Sequence, residues 1–450
     1  MSPIASRLQV LPSLPPPPAV PVSPAGPARA SRAAQLWLGF LFVLMSGALQ
    51  RPLGGDGLEG SMTTMIVQSE NRAIQIVGAG AIALTSALLV LRGRRVALPP
   101  GSHWALALSV LALFSALWSP LPGETLKRAL GFAGAVPIAL FAYSAFRWQE
   151  AARALFWAAA LLVLGTAVLA LLAPSYAFHQ AGEFYGEHAG LLRGSYVHKN
   201  ALARFLALAL VVIVLLGPDA GARRGPIVLL AALGIGLLVL TGSAKTFVTV
   251  PMSFVAAWTL LRGRTRLARL VILAAIAYLT GLVVLSGLDD WLSAALLERL
   301  GRDTTLSGRT LIWQAAIDYT IRHGDWLAGG GYETAWRAGL GDYVQAQTSF
   351  NPGHPHNGYI AIFNQLGVIG LLVAALHLRV AFWRALAGQE SGRRGGTMFP
   401  VAWLILFLAN NATTTCFIEP MDLYWLLILL TPAFAAWRER DRRTPVVTPG

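Results

Sequence analysis

Residues 351–380 read NPGHPHNGYIAIFNQLGVIGLLVAALHLRV. A polar turn carrying two histidines runs directly into an apolar stretch, and roughly 20 such residues suffice for a helix to cross a bilayer. The same alternation of apolar run and short polar turn recurs along the whole chain. Of its 450 residues, 55% are hydrophobic and 12% charged, with mean hydropathy +0.59. Soluble domains carry about 25% charged residues, so the pattern predicts an all-α polytopic membrane protein.

Working outward, we expect about twelve transmembrane helices: 33–49, 73–91, 103–118, 125–146, 151–173, 200–216, 226–240, 246–261, 267–285, 357–380, 398–413 and 422–437. The divisions follow. Residues 1–32 form a Pro-rich, disordered cytoplasmic tail. Residues 33–287 hold spans one to nine, 288–356 a large extracytoplasmic (periplasmic) loop, 357–437 spans ten to twelve, and 438–450 a basic cytoplasmic tail. The Pro-rich start is not a cleavable signal peptide, and the first apolar run reads as a retained anchor. Cys416 is the sole cysteine, which excludes an internal disulfide.

Charge sets the expected orientation. Loops on one side, with both termini, collect 22 of the 35 Lys and Arg against 5 of the 21 acids. The positive-inside rule makes that side cytoplasmic. The net charge of +14 is then mostly topogenic, and a nucleic-acid partner is not expected.

Three features face outward on this reading: the loop 174–199, the turn 242–245 and the loop 288–356. His198, Lys199 and Asn200 crowd the start of the sixth span, with Arg193 upstream and Arg204 one turn further on. These cations could bind phosphate or snorkel to headgroups. Lys245 sits in a short turn with the same two readings. The long loop carries its own helix from Ser307, with Ile312, Ala315, Ala316 and Tyr319 on one apolar face. Such a helix lies on the bundle rather than crossing it. Arg309 in its first turn opposes the helix dipole unless an anion sits there; a salt bridge to Asp303 is the alternative. Gly329, Gly330 and Gly331 lack the Lys-Ser/Thr of a phosphate loop and read as a flexible turn. His354 and His356 flank Pro355. Zinc ligation lacks a clear third ligand, a capping or core role remains open, and a general base near neutral pH is the leading reading. His356 is the better placed, beside Asn357 at the head of the tenth span. Gly367 and Gly370 would allow close helix contact.

At these residues the sequence resembles the O-antigen ligase and polysaccharide polymerase superfamily of bacterial envelopes. His356-Asn357, nine residues, Gly367, two residues, Gly370 is similar to that family's pattern, as are SGRTLIW at 307–313, YVHKNALA at 196–203, TGSAKT at 241–246 and SALWSPLPGETLKRAL at 115–130. The resemblance implies a GT-C-like, metal-independent, inverting glycosyltransferase of the inner membrane with no cofactor. It would move a glycan from undecaprenyl diphosphate to lipid A core (a ligase) or to another carrier-linked glycan (a polymerase). His356 and Arg309 would be catalytic. Lys199, Arg193, Arg204, Lys245, His198, Asn200, His354 and Asn357 would bind substrate or diphosphate. Lys245 stands where the family often has Arg, which loses bidentate phosphate geometry. The competing class is a transporter or flippase, which should show ionisable residues near mid-membrane and paired broken helices; a membrane scaffold without chemistry is the third.

Overall fold

The computed structural model describes residues 29–54, 72–93, 96–181, 183, 188–262, 308–348, 353–387 and 394–443. The described residues form helices joined by turns, with one isolated bridge between Phe178 and Leu192. Seven helices are long and apolar enough to cross a membrane: Arg72–Arg92, Pro122–Ala145, Trp148–Leu172, Lys199–Leu216, Arg224–Thr241, Ala244–Arg262 and Gly358–Ala387. Shorter apolar helices cover Arg32–Met45, His103–Leu117 and Thr397–Asn411, and Leu423–Leu430 follows. The expected ninth span at 267–285, the Pro-rich tail and the capping position Ser307 lie outside the described residues.

The helices form a bundle around Lys199–Leu216, the most enclosed of the seven, while Arg72–Arg92 is the least enclosed. Val90, Leu91, Leu171 and Leu172 on the outer helices stay about four-fifths exposed. Such an apolar exterior suits acyl chains and would be an aggregation hazard in water. Inside, Phe132 stacks on Trp425 with ring centroids 4.2 Å apart, and the indole donates to the Phe132 carbonyl at 3.1 Å. The indole thereby satisfies its one donor within an apolar core.

The expected loop helix exists as Gly308–Arg322. Ile312, Ala315 and Ala316 are buried in a small second core with Leu340 and Val344, against which Tyr319 and Ile360 pack. The helix lies against the bundle because only that face can leave water.

The glycines depart from their expected roles. Gly367 interrupts helix Gly358–Ala387 at φ 66°, ψ −162°, a conformation essentially restricted to glycine. The break strands backbone groups on both sides of it, and the turn 326–331 takes them up. Gly330 and Gly331 N–H donate to the Asn364 and Gln365 carbonyls at 2.9 and 3.1 Å; Val368 and Ile369 N–H donate to the Trp326 and Leu327 carbonyls at 2.9 and 3.1 Å. The two backbones touch. A Cβ on Gly367 would lie 2.3 Å from the Leu327 carbonyl, and one on Gly329 would lie 2.2 Å from the Gln365 carbonyl carbon. The Gly329–Gly331 turn is therefore a backbone clasp and not a flexible turn. Gly367 breaks its helix; it does not form a helix-contact pair with Gly370.

The clasp is held from below by the turn after His103–Leu117. Trp118 Nε1 donates to the Gly329 carbonyl at 3.1 Å, and the Ser119, Thr125 and Thr334 hydroxyls form one cluster at 2.6–3.0 Å. We expect Gly367→Ala to reduce folded yield and melting temperature in detergent sharply, through a left-handed strain of about 1–3 kcal/mol plus the backbone clash. Gly236→Ala, where an added Cβ meets nothing within 4 Å, should be neutral or stabilising by about 0.5–1 kcal/mol. Equal melting of the two variants would remove the clasp from the account of the fold.

Candidate functional site

The His354–Pro355–His356 turn is a locked structure. His356 adopts φ +52°, and its N–H donates to His354 Nδ1 at 3.1 Å, with the rings 4.1 Å apart. Because Nδ1 of His354 accepts, the proton of its neutral ring resides on Nε2. Asn357 Oδ1 accepts from the N–H groups of Tyr359 and Ile360 at 2.9 and 3.2 Å. That is an N-cap, so the expected substrate role of Asn357 yields to anchoring the turn.

Helix Gly308–Arg322 is tied to this turn directly. Trp313 Nε1 donates to the Pro355 carbonyl at 2.8 Å, and Arg309 sits one helical turn before Trp313. Segments some 45 residues apart in sequence thereby meet. Burial comes first in holding His356 well below the ordinary imidazole range, followed by His354, Arg309, Lys245 and His198. Burial, then Lys245, Arg204 and Arg309, lowers His354 to about 4. Both rings are thus neutral around pH 7 and sit among cations. Among the described residues, no group of three or more His, Cys, Asp or Glu is arranged to hold a metal.

The other cations come from the loop before Lys199–Leu216 and the turn 242–245. His198 N-caps the helix, its Nδ1 accepting from Asn200 N–H at 3.1 Å. Lys199 donates through its backbone to His179 Nε2 at 3.2 Å and through Nζ to the Gly242 carbonyl at 3.5 Å. Lys245 Nζ donates to Thr414 Oγ1 at 2.5 Å. These bonds gather His198, Lys199 and Lys245 at the bundle end that carries His356. His188 completes an edge-to-face aromatic cluster with His198, ring centroids 4.8 Å apart.

Arg193 and Arg204 are differently placed. Arg193 makes a bidentate pair with Glu183 at 2.6 and 2.7 Å, and Glu183 also bonds His179 Nδ1 at 2.9 Å. Burial lowers His179 to about 4 even against that carboxylate. Arg204 turns inward, bonding Asp422 at 2.7 Å, the Thr415 carbonyl at 3.2 Å and Cys416 Sγ at 3.4 Å. Its guanidinium also lies over the Phe205 and Tyr424 rings. Buried ions need such partners, and each of these two arginines, expected to meet phosphate, has a carboxylate partner within the protein.

Beside the histidine turn lies a cavity of about 760 Å³, with His354 and Pro355 on one wall. Arg128, Glu333, Gln365 and Glu419 line it further in. Glu333 adopts φ +58°; its N–H donates to Gln365 Oε1 at 2.9 Å, and Gln365 Nε2 donates back to Glu333 Oε1 at 3.1 Å. Arg128 Nη1 stands 4.0 Å from Glu333. Burial raises Glu333, and burial with the Glu333 charge pushes Glu419 up to about 8. Reasoning from sequence missed these four residues, because they come from four distant segments and form no local motif. The sole signal was Arg128 within the resemblance at 115–130.

Comparison with known proteins bears on the same residues. Residues 229–375 match the O-antigen ligase family model, a span that includes Lys245, Arg309, Glu333, His354, His356 and the clasp glycines. The chain is 26% identical over 332 residues to the exopolysaccharide production protein ExoQ of Rhizobium meliloti (strain 1021), covering 68% of this chain and 71% of that protein. Residues 229–375 thus resemble the O-antigen ligase family, and the chain as a whole is similar to a protein of exopolysaccharide production, on a structure with seven helices among the described residues able to cross a membrane.

Proposed function

We propose that this protein transfers a glycan from an undecaprenyl-diphosphate carrier to an acceptor sugar hydroxyl, at the extracytoplasmic face of the inner membrane with both termini cytoplasmic. The observation that carries this reading is the meeting of the Arg309 helix with the His354–His356 turn. It brings a neutral imidazole under the influence of Arg309 and Lys245 beside a cavity of about 760 Å³.

The chemistry follows from those groups. His356 accepts the acceptor hydroxyl proton as the oxygen attacks C1 of the donor sugar. The C1–O bond to the diphosphate breaks with its electron pair on the leaving oxygen, and the anomeric centre inverts. Arg309, Lys245 and Lys199 offset the charge that develops on the diphosphate, where enclosure makes such stabilisation strongest. Binding that dianion also offsets the cations that depress His356, so its basicity rises when donor is present. Direct displacement needs no metal ion and no second carboxylate.

The acceptor is either lipid A core or a second carrier-linked glycan. The family match favours the first; the exopolysaccharide role of the Rhizobium relative favours the second. Charges sit at the ends of the helices or in internal pairs, which disfavours a transporter.

In a deletion strain, the wild-type chain should restore surface polysaccharide, while His356→Ala and Arg309→Ala insert normally and fail. We expect rate losses of about 10²–10⁴ for the base and about 10²–10³ for the cation. Normal polysaccharide in both variants would sink the mechanism. Uncapped lipid A with carrier-linked polymer retained marks a ligase; single repeat units mark a polymerase.

The pH dependence separates this base from an ordinary histidine. An imidazole near 6.5 would cut kcat/KM about fourfold at pH 6. The depressed His356 keeps its base form there, so kcat/KM should stay within about twofold between pH 6 and 8. An inflection between 6 and 7 would contradict the site.

The cations should divide by role. Arg193→Ala strands Glu183 and should cost about 3–5 kcal/mol of stability, read as a lowered melting temperature. Lys245→Met should melt close to wild type yet lose about 100-fold in rate. The opposite pattern would exchange their roles.

A further inference from the structure

The cavity beside His356 has two chemically distinct ends. Near His354 and Pro355 the neighbouring charges are basic. The rest of the lining is mixed and includes Arg128, Glu333, Gln365, Glu419 and Trp336. Guanidinium, carboxylate and amide beside an indole are the groups that recognise a sugar ring. Hydroxyls donate to the carboxylates and accept from the guanidinium, while the C–H face of the ring packs on the aromatic.

Two observations show that this wall lacks a partner. Arg128 is only 6% exposed, yet its Nε and Nη2 have no hydrogen-bond partner. Its nearest carboxylates, Glu124 at 3.7 Å and Glu333 at 4.0 Å, are too distant to accept a hydrogen bond. Asn364 also lines the cavity, and its Oδ1 is buried without a partner. Its amide donates to the Ala316 carbonyl at 2.9 Å and to Thr320 Oγ1 at 2.6 Å, which fixes Oδ1 as the group left over. Buried donors and acceptors left unbonded cost about 1–3 kcal/mol each, a cost a bound ligand relieves.

Backbone strain gathers at the same place. The non-glycine residues with positive φ among those described are Glu333, His356 and Met421. Glu333 and Met421 line the cavity, and His356 follows Pro355, which does too. Left-handed strain persists where surrounding structure over-determines it, and it clusters at working sites.

The lining offers both kinds of hydrogen-bonding group: donors in Lys127, Arg128 and Arg337, acceptors in Glu333, Glu419 and Asn364. A polyhydroxylated ring, whose hydroxyls both donate and accept, uses both. The volume lies within the range of about 300–1,000 Å³ typical of ligand pockets.

We propose that Arg128, Glu333, Asn364, Gln365 and Trp336 form the subsite for a sugar ring of the acceptor glycan, and that this subsite presents the acceptor hydroxyl to His356. The proposal rests on the transferase reading above and adds the acceptor's place and chemical class.

The test uses full-length protein in detergent. Its probe is lipid extract from membranes of the deletion strain, which contains unreacted donor and acceptor. Initial rates are measured against extract concentration for wild type, Glu333→Ala, Glu333→Gln and Trp336→Ala. Glu333→Ala and Trp336→Ala should raise the half-saturating concentration about tenfold or more while the maximal rate stays within about threefold. Glu333→Gln, which keeps an acceptor oxygen, should show a smaller rise; it and Trp336→Ala carry the test if Glu333→Ala fails to fold. Unchanged half-saturation in Glu333→Gln and Trp336→Ala overturns the subsite even if the maximal rate falls. Wild type inert on the extract overturns the transferase reading itself, whatever the variants do.

Discussion

The backbone clasp at Gly367 is the constraint on which the rest depends. A helix broken in an apolar bundle exposes carbonyl and N–H groups that lipid cannot satisfy. Here the turn at 326–331 returns hydrogen bonds to both sides of the break. The exchange works only because Gly329 and Gly367 let two backbones approach without side chains between them. It anchors the segment after helix Gly308–Arg322 to the helix that begins behind His356. Arg309 and His356 are placed at the two ends of that connection.

Charge follows a second rule of the same environment. Each ion must find a partner or a purpose. Arg204 with Asp422 and Arg193 with Glu183 are internal pairs. Arg309 and Lys245 act on both histidines of the turn, and Arg204 also reaches His354. Burial first, and then these neighbouring charges, keep the two rings neutral. The cavity beside the turn is also lined by Arg128, Glu333 and Glu419, the groups to which the acceptor sugar is assigned by proposal.

Much of this was legible in the residues. Apolar run lengths set the helices, and the period of Ile312, Ala315, Ala316 and Tyr319 identified a helix that lies on the bundle. His356-Asn357 with its glycine spacing singled out the turn that Trp313 of helix Gly308–Arg322 bonds. These features are local, and each depends on a handful of neighbouring side chains. The sequence says less where a residue's partner is remote. Arg204 lies on the same helix face as Asn200, yet Asp422, 218 positions away, decides where its guanidinium points. The glycines at 329–331 looked free because their hydrogen-bond partners lie more than 30 residues further on.

The sequence by itself determined a helical membrane protein, its family pattern and a histidine at the head of a span. These follow from hydrophobic period and from short motifs whose physics is complete within a few residues. Tertiary structure alone decided which cations reach His356, which are consumed in internal pairs, and that Arg128, Glu333, Gln365 and Glu419 share one cavity. The physical reason is that a buried charge takes its role from the nearest opposite charge or open volume, and those neighbours lie from 10 residues away, as for Arg193 and Glu183, to 218, as for Arg204 and Asp422.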